Sequence, residues 1–578
     1  MILQKLHEVA QTHPDTKDVP LHCQQKTIAG YLLLSGAGLF QDFQTADKGK
    51  KEWGPYIAPE QTGKPGLGIH KLEHLVGLKY PRPKNEKEEK QEKKCKEKRE
   101  RTREFVQECL NRIKAGDPKA DTNGLQALGK FLETLNKDAA ELKKVIKAIE
   151  TKELRTTGYV AVLVDDDFWF QHEEITRFWR EKGYGLSDGW PNESEEVRGQ
   201  CSVCGREKKL ARLMEEMDGF GKNRPTLTSF NRAAYVSRGL EQTYNAPLCE
   251  ECADLVPKAW NALANKPDSN KRVEDHRYVF WGDIPLKPWE RNDPQQWLDL
   301  INSPWTQQHK TEVSVEASKR FHLLGLGAHR STAYVVAWLD KSRDETTRAI
   351  VRWGKRQNLL GEKQKRFYSI EEFTRSLRPR KNRFNPSKLS KYEMSLCRDL
   401  YLLSLGQGRC PERVLPRLAN RLAADAARED LFKAMDRLAF LNICLHLKQN
   451  KEVINMEELS AENQNAFNAG RIFNLIVWAQ SEAIGRDTGK TILAGNARLA
   501  STRPSTIIGH LITRLNSIYL PKLQRDKRGI AITIDGEVKE LMNKTTLPLK
   551  NSPEQMGWFW KGFYHRNIEN VKKSKEVE

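Results

Sequence analysis

The apolar positions of this chain follow three successive patterns. Up to about residue 80 they are mixed with glycines and turn residues, with little periodicity beyond Phe40. Residues 104–153 take a helical period, first Phe105, Cys109 and Ile113, then Leu128, Phe131, Leu132 and Leu135. Gly158–Val164 is a short Val-rich run without alternation, the pattern of a strand buried on both faces. Further strands are predicted at Tyr278–Trp281, Phe321–Leu326 and Thr332–Trp338. From about residue 395 helical patterns lengthen, punctuated at Gly406, Gly408 and Pro411. Ile508, Leu511, Ile512, Leu515, Ile518 and Tyr519 share one helix face that Ser505 can cap. Phe467, Ile472, Leu475, Ile476, Ala479 and Ala483 form a second such stripe, and both read as bundle core rather than a cofactor box.

Between these patterns lies a block of mostly Lys and Glu, residues 81–103. It suits either an exposed helix held by i to i+4 ion pairs or a disordered insertion. A chain of 578 residues is too long for one core, so several domains are expected. No apolar run approaches the ~20 residues of a spanning helix. The nearest, Gly30–Phe40, is short and glycine-rich. The start lacks a signal-peptide pattern, so the expected location is cytoplasmic, with no membrane partner.

Charge changes the picture next. The chain holds 97 Lys and Arg against 77 Asp and Glu, a net +20, which favours polyanionic partners. The excess is concentrated. Arg348–Lys391 has 14 basic residues against three Glu, and Arg471–Arg528 has ten against three acidic ones. The first stretch is interleaved with Trp353, Phe367, Tyr368, Phe373 and Phe384, whose faces can stack on unpaired bases. In the second, Arg471, Arg486, Arg498, Arg503 and Arg514 punctuate helices whose other faces are apolar, an arrangement for tracking a strand. Basic faces that only confer solubility are the plain alternative.

Cys201-Ser-Val-Cys204 and Cys249-Glu-Glu-Cys252 are two Cys-x-x-Cys pairs. Together they can complete a closed tetrahedral site, so a structural Zn ion is predicted. Gly205 permits the tight turn after the first pair. The other six cysteines have no metal spacing. Between the pairs, Gly219 and Gly221 allow close backbone approach to a nucleic acid. Lys222 and Arg224 can bind phosphate there, while Asn223, Ser229 and Asn231 can read base edges. The predicted fold is therefore α+β: a mixed amino-terminal body with a small zinc-stapled insertion, followed by a carboxy-terminal helical bundle. Its regions are 1–200, 201–285 (zinc-stapled and motif-reading), 286–395 (β-containing and basic) and 396–578.

In the same zinc-stapled block the chain resembles the large subunit of type I-C CRISPR Cascade complexes. The likeness rests on Ala211-Arg-Leu213, Ser229-Phe-Asn231, Gln242-Thr-Tyr-Asn-Ala-Pro247 and Val279-Phe-Trp281, with Met1-Ile-Leu-Gln4 and Phe321–Leu326 outside it. It implies a non-enzymatic subunit of an RNA-guided defence complex, partnered by other subunits and guide RNA. Such a subunit reads the protospacer-adjacent motif in target double-stranded DNA and starts unwinding. It then stabilises the displaced single strand and helps to recruit the helicase-nuclease. The family also produces a small helical subunit from the carboxy-terminal part, for which Met435 and Met456 are candidate starts. The cysteine quartet departs from the family pattern and rests on spacing alone. Two other readings stay open: a metal-dependent nucleic-acid enzyme using Asp165, Asp166 and Asp167 at a strand end, and a structural RNA-binding protein.

Overall fold

The Val-rich run is the inner strand of a mixed sheet. In the computed structural model, β1 (Cys23–Leu34), β2 (Phe40–Thr45), β3 (Lys51–Pro55), β4 (Ile69–Lys71) and β5 (Tyr159–Val164) pair in the order β2-β1-β5-β4, with β3 also on β1. The first half of β1 takes β3 antiparallel and its second half takes β2. β5 lies parallel to β1, from Ile28 opposite Tyr159 to Leu34 opposite Val164. A strand paired on both edges and covered on both faces buries every side chain, and Val160 through Val164 are all buried. The structure describes residues 2–55, 67–78, 86–156, 158–181, 197–212, 214–220, 225–228, 230, 236, 240, 242–266, 269–282, 300–306, 320–359, 366–379, 388–428, 434–449, 459–485 and 491–574.

The chain divides into two compact units, 1–266 with 328–334, and 267–327 with 335–578. In the first, the helix Asn123–Lys137 buries Leu125, Leu128, Phe131, Leu132 and Leu135 in the sheet's core. Of the two readings of the Lys/Glu block, residues 86–103 take the helical one, while 81–85 lie outside the described residues. Glu86–Gly116 is one helix of 31 residues, with Arg103 on Glu100 and Arg112 on Glu108. A short hairpin, β6 (Arg198–Gln200) with β7 (Glu207–Lys209), and the helix Glu250–Asn265 belong to the same unit.

In the second unit β8 (Asn270–Val273), β9 (His276–Gly282), β10 (Arg320–His329) and β11 (Thr332–Ser342) form an antiparallel sheet in the order β11-β10-β9-β8. The three strands predicted here from sequence lie within β9, β10 and β11. Beyond residue 390 the unit is helical, and Ser390, Ser460 and Thr491 each cap a helix through the side-chain oxygen. Among the described residues no helix is long and apolar enough to cross a membrane.

Ser505 is not a cap. The helix is Pro504–Arg514, with Arg503 at its N-cap and Pro504 in the first turn, where a missing N–H costs nothing. The helix passes into a π turn, Leu515–Tyr519, whose extra residue per turn under-rotates the stripe relative to the α-helical period. Ile508, Leu511, Leu515 and Tyr519 are buried, whereas Ile518 turns outward, 45% exposed. The second stripe is wholly buried in Ala461–Ile484.

That helix packs backbone to backbone against Pro553–Ser574. A Cβ on Gly470 would sit 2.0 Å from the Phe559 carbonyl oxygen, and one on Gly562 would sit 2.0 Å from that of Phe467. Gly470→Ala should therefore destabilise the second unit by about 1–3 kcal/mol or more, through forced separation of the helices. Gly536→Ala, on an exposed helix where a Cβ meets nothing within 4 Å, should stabilise by about 0.4–1 kcal/mol. Thermal unfolding of the two variants checks the contrast; equal shifts would contradict the close approach.

Candidate metal centre and nucleic-acid surfaces

The first cysteine pair sits on a knuckle between β6 and β7. Gly205, at φ +70°, donates from its N–H to the Cys201 carbonyl at 2.8 Å, and the Cys201 N–H donates to the Arg206 carbonyl at 3.0 Å. This reversal turns Cys201 and Cys204 to one side, and the Val203 N–H donates to the Cys201 sulfur at 3.4 Å. The second pair sits where the helix Glu250–Asn265 begins. Cys249 is its N-cap and Cys252 lies in its first turn. Backbone bonds from Ser202 to Pro247 (2.9 Å) and from Ala211 to Leu248 (2.8 Å) lay the knuckle against this helix start. Ion pairs of Lys208 with Glu251 (2.5 Å) and Lys209 with Glu250 (3.2 Å) fasten β7 to the same turn.

The four sulfurs all lie within 4.8 Å of one another, and Cys204 and Cys249 are 3.9 Å apart. Tetrahedral Zn with Zn–S bonds near 2.3 Å sets its sulfurs about 3.8 Å apart, so the donor set fits one such ion. Bonds from the Cys252 thiol and N–H and from the Cys201 and Cys204 thiols outweigh burial and pull Cys249 down to about 5. A ready thiolate at a helix N-terminus is a suitable first ligand. This group can hold a structural metal ion, and among the described residues it is the one group of three or more His, Cys, Asp or Glu placed to do so.

The metal-site helix also anchors the start of the candidate motif-reading segment. Trp260 stacks on Phe220 with ring centroids 5.7 Å apart and planes 3° from parallel. Its Nε1 donates to the Asp218 carbonyl at 2.9 Å, and Asn261 Oδ1 accepts from the Asp218 N–H at 2.7 Å. On the far side Met217 bonds to the Pro225 carbonyl, and Thr226 pairs with Ser331 and Ala333 of the β10–β11 turn. Lys222, Asn223, Arg224, Ser229 and Asn231 themselves lie outside the described residues, as do Met1, Leu213, Gly221, Phe384, Met456 and Arg486. The roles of Trp260 and Asn261 were not legible in sequence, because each reaches more than forty residues back along the chain.

The carboxy-terminal arginines divide. Arg498, Arg503 and Arg514 are exposed, and none has an acidic partner among the described residues. Arg471 is half-buried, with Glu540 among its electrostatic neighbours. Two of the aromatic residues expected to offer stacking faces are core instead. Trp353 and Phe373 are fully buried edge to face, and Phe373 stacks on Phe440 at 5.0 Å. Asp165 and Asp166 form a turn with φ of +49° and +60°. Asp165 accepts from the Gly36 N–H at 3.1 Å, and Asp167 pairs with His172 at 2.9 Å. Asp165 and Asp167 are thus engaged in closing a strand end, and the three carboxylates are not among the groups of described residues placed to hold a metal ion.

A buried polar cluster lies against the metal-site helix. Lys258 donates to Asp254 at 2.5 Å and to the Pro20 carbonyl at 3.0 Å, while Gln24 donates to Glu215. Burial, and then the Asp254 charge, push the Glu215 carboxyl up to about 8 against the pull of Lys258, Gln24 and Lys26. The native state thus holds a proton that the unfolded chain releases near 4.5. Stability from this group is full below that range and is lost as pH rises through about 8. Glu215→Gln should remove this downward slope of melting temperature between about pH 5 and about pH 9. Parallel curves for the two proteins would contradict the raised value.

For the metal centre, elemental analysis of purified protein should give about one Zn per chain, falling in Cys204→Ser together with melting temperature. Metal-free protein of undiminished thermal stability would contradict the site.

The family model described as CRISPR-associated protein (Cas_Csd1) matches residues 4–570. No curated protein matches the chain. With nearly its whole length covered, the chain belongs to this family, the large subunits of type I-C Cascade.

Proposed function

We propose that this subunit checks DNA targets for its complex without catalysing a reaction. It reads the protospacer-adjacent motif in duplex DNA, starts the unwinding beside it, holds the displaced strand and helps to recruit the helicase-nuclease. Guide RNA pairing supplies specificity along the rest of the target, so the protein need only read a short motif and grip backbone. Lys222 and Arg224 serve as phosphate contacts, with Asn223, Ser229 and Asn231 as groove readers. The four cysteines hold Zn, whose closed coordination makes it a structural ion. The setting is cytoplasmic.

The observation that carries this reading is the trio of exposed guanidiniums at Arg498, Arg503 and Arg514, none with a carboxylate partner among the described residues. Charges that neither pair with carboxylates nor pack the bundle are available to a polyanion. Placed along consecutive helices, they suit an extended single strand.

Replacing Arg471, Arg498, Arg503 and Arg514 together by Ala should lower the salt slope of binding to opened target by about 0.7 for each phosphate no longer neutralised. Preference for cognate over scrambled motif should survive. Asn231→Ala should do the opposite, weakening cognate duplex by about 1–3 kcal/mol more than scrambled duplex. A quadruple variant with unchanged affinity and slope would reduce the bundle to scaffold.

A further inference from the structure

One cleft of the second unit gathers arginines that are far apart in sequence. It lies among the helices Ile370–Ser376, Lys391–Ser404, Val414–Ala426 and Ile492–Thr502, and measures about 740 Å³. Arg378, Arg417, Arg421 and Arg498 line it. The nearby carboxylates are already engaged. Glu393 is gripped by Arg378 through both oxygens, and Asp425 is paired with the buried Arg437. Arg437 is further fixed on the carbonyls of Ser376 (2.7 Å) and Arg378 (3.1 Å).

That leaves Arg417, Arg421 and Arg498 lining one space with no carboxylate bonded to any of them among the described residues. The Arg417 guanidinium is held over the Tyr392 ring at 4.3 Å, which fixes its plane and leaves its N–H edge for an oxyanion. Arg421 donates through Nε to the Leu377 carbonyl at 3.0 Å, so its terminal nitrogens remain. Burial, then the charges of Arg437 and Arg417, lower the Arg421 pKa against the opposing pull of Asp425, which is itself paired with Arg437. Beside the arginines the lining is small and apolar: Ala424, Ala427, Ala494 and Gly495. A cleft of this size is typical for a small ligand or a single residue of a polymer, and too small for a duplex.

We propose that this cleft holds one unstacked nucleotide of a single strand, its phosphate on Arg417, Arg421 and Arg498 and its base on the Ala/Gly lining. Forked guanidinium donors match phosphate oxygens, and small apolar residues beside them leave room for a base. The site rests on the strand-holding function proposed above and adds to it a fixed station with its own residues.

The test uses the full chain and a fluorescein-labelled (dT)15 strand, beside an abasic strand of the same length, followed by anisotropy across salt. Arg417→Ala should lower the salt slope by about 0.7 and weaken (dT)15 binding several-fold. Gly495→Phe fills the cleft from a position where an added Cβ meets nothing within 4 Å, so it should fold normally even if the arginine variant does not. It should weaken (dT)15 roughly tenfold and erase its advantage over the abasic strand. Folded Gly495→Phe protein with wild-type affinity for (dT)15 would overturn the cleft alone. Failure of the wild-type chain to bind (dT)15 would instead remove the strand-holding function itself. Unchanged (dT)15 binding with loss of co-purifying subunits would show that the cleft takes a protein segment, and would also overturn the proposal.

Discussion

Four sulfurs crowded within 4.8 Å of one another cannot all ionise unless a cation stands among them. That constraint organises the 201–266 segment. The helix Glu250–Asn265 is joined to the knuckle after β6 by Cys249, Cys252 and the flanking Lys–Glu pairs. The same helix buries Asp254 and Lys258 against the end of the amino-terminal sheet, and presents Trp260 and Asn261 to the Asp218 backbone. An ion held by Cys249 and Cys252 would thereby be coupled, through this helix, to the entrance of the candidate motif-reading segment.

The second unit solves a different problem. Its packing is apolar and very close, with Gly470 and Gly562 letting two long helices meet backbone to backbone. Because those faces supply the cohesion, arginines elsewhere need not pair with carboxylates to hold the fold. Where pairing is structural it is buried, as with Arg437 and Asp425, whose removal would leave an uncompensated charge. Where it is not, as at Arg417 and Arg498, no carboxylate among the described residues is bonded to the charge.

Legibility in the sequence followed the range of the interaction. The β5 run was plain because burial on both faces leaves an unbroken Val-rich string, and the cysteine pairs because metal ligation fixes spacing within four residues. β1 was hidden. Its first half, Cys23–Thr27, is polar where it pairs β3, and its apolar second half had the look of a glycine-rich loop. Ile518 was misplaced because a π turn breaks the helical period. The arginine cleft escaped notice because Arg417 and Arg421 fall outside both basic stretches, and only the packing of four helices brings them to Arg498.

The proposed coupling between a metal ion at the four cysteines and the candidate motif-reading segment is read most directly by stripping any metal from the intact chain. A chelator titration, with metal content followed alongside affinity for cognate and scrambled motif duplexes, separates the contributions. The ratio of the two affinities should collapse toward one as the ion leaves, while the salt slope for a single strand stays constant. An unchanged ratio after complete loss of the metal would contradict the coupling.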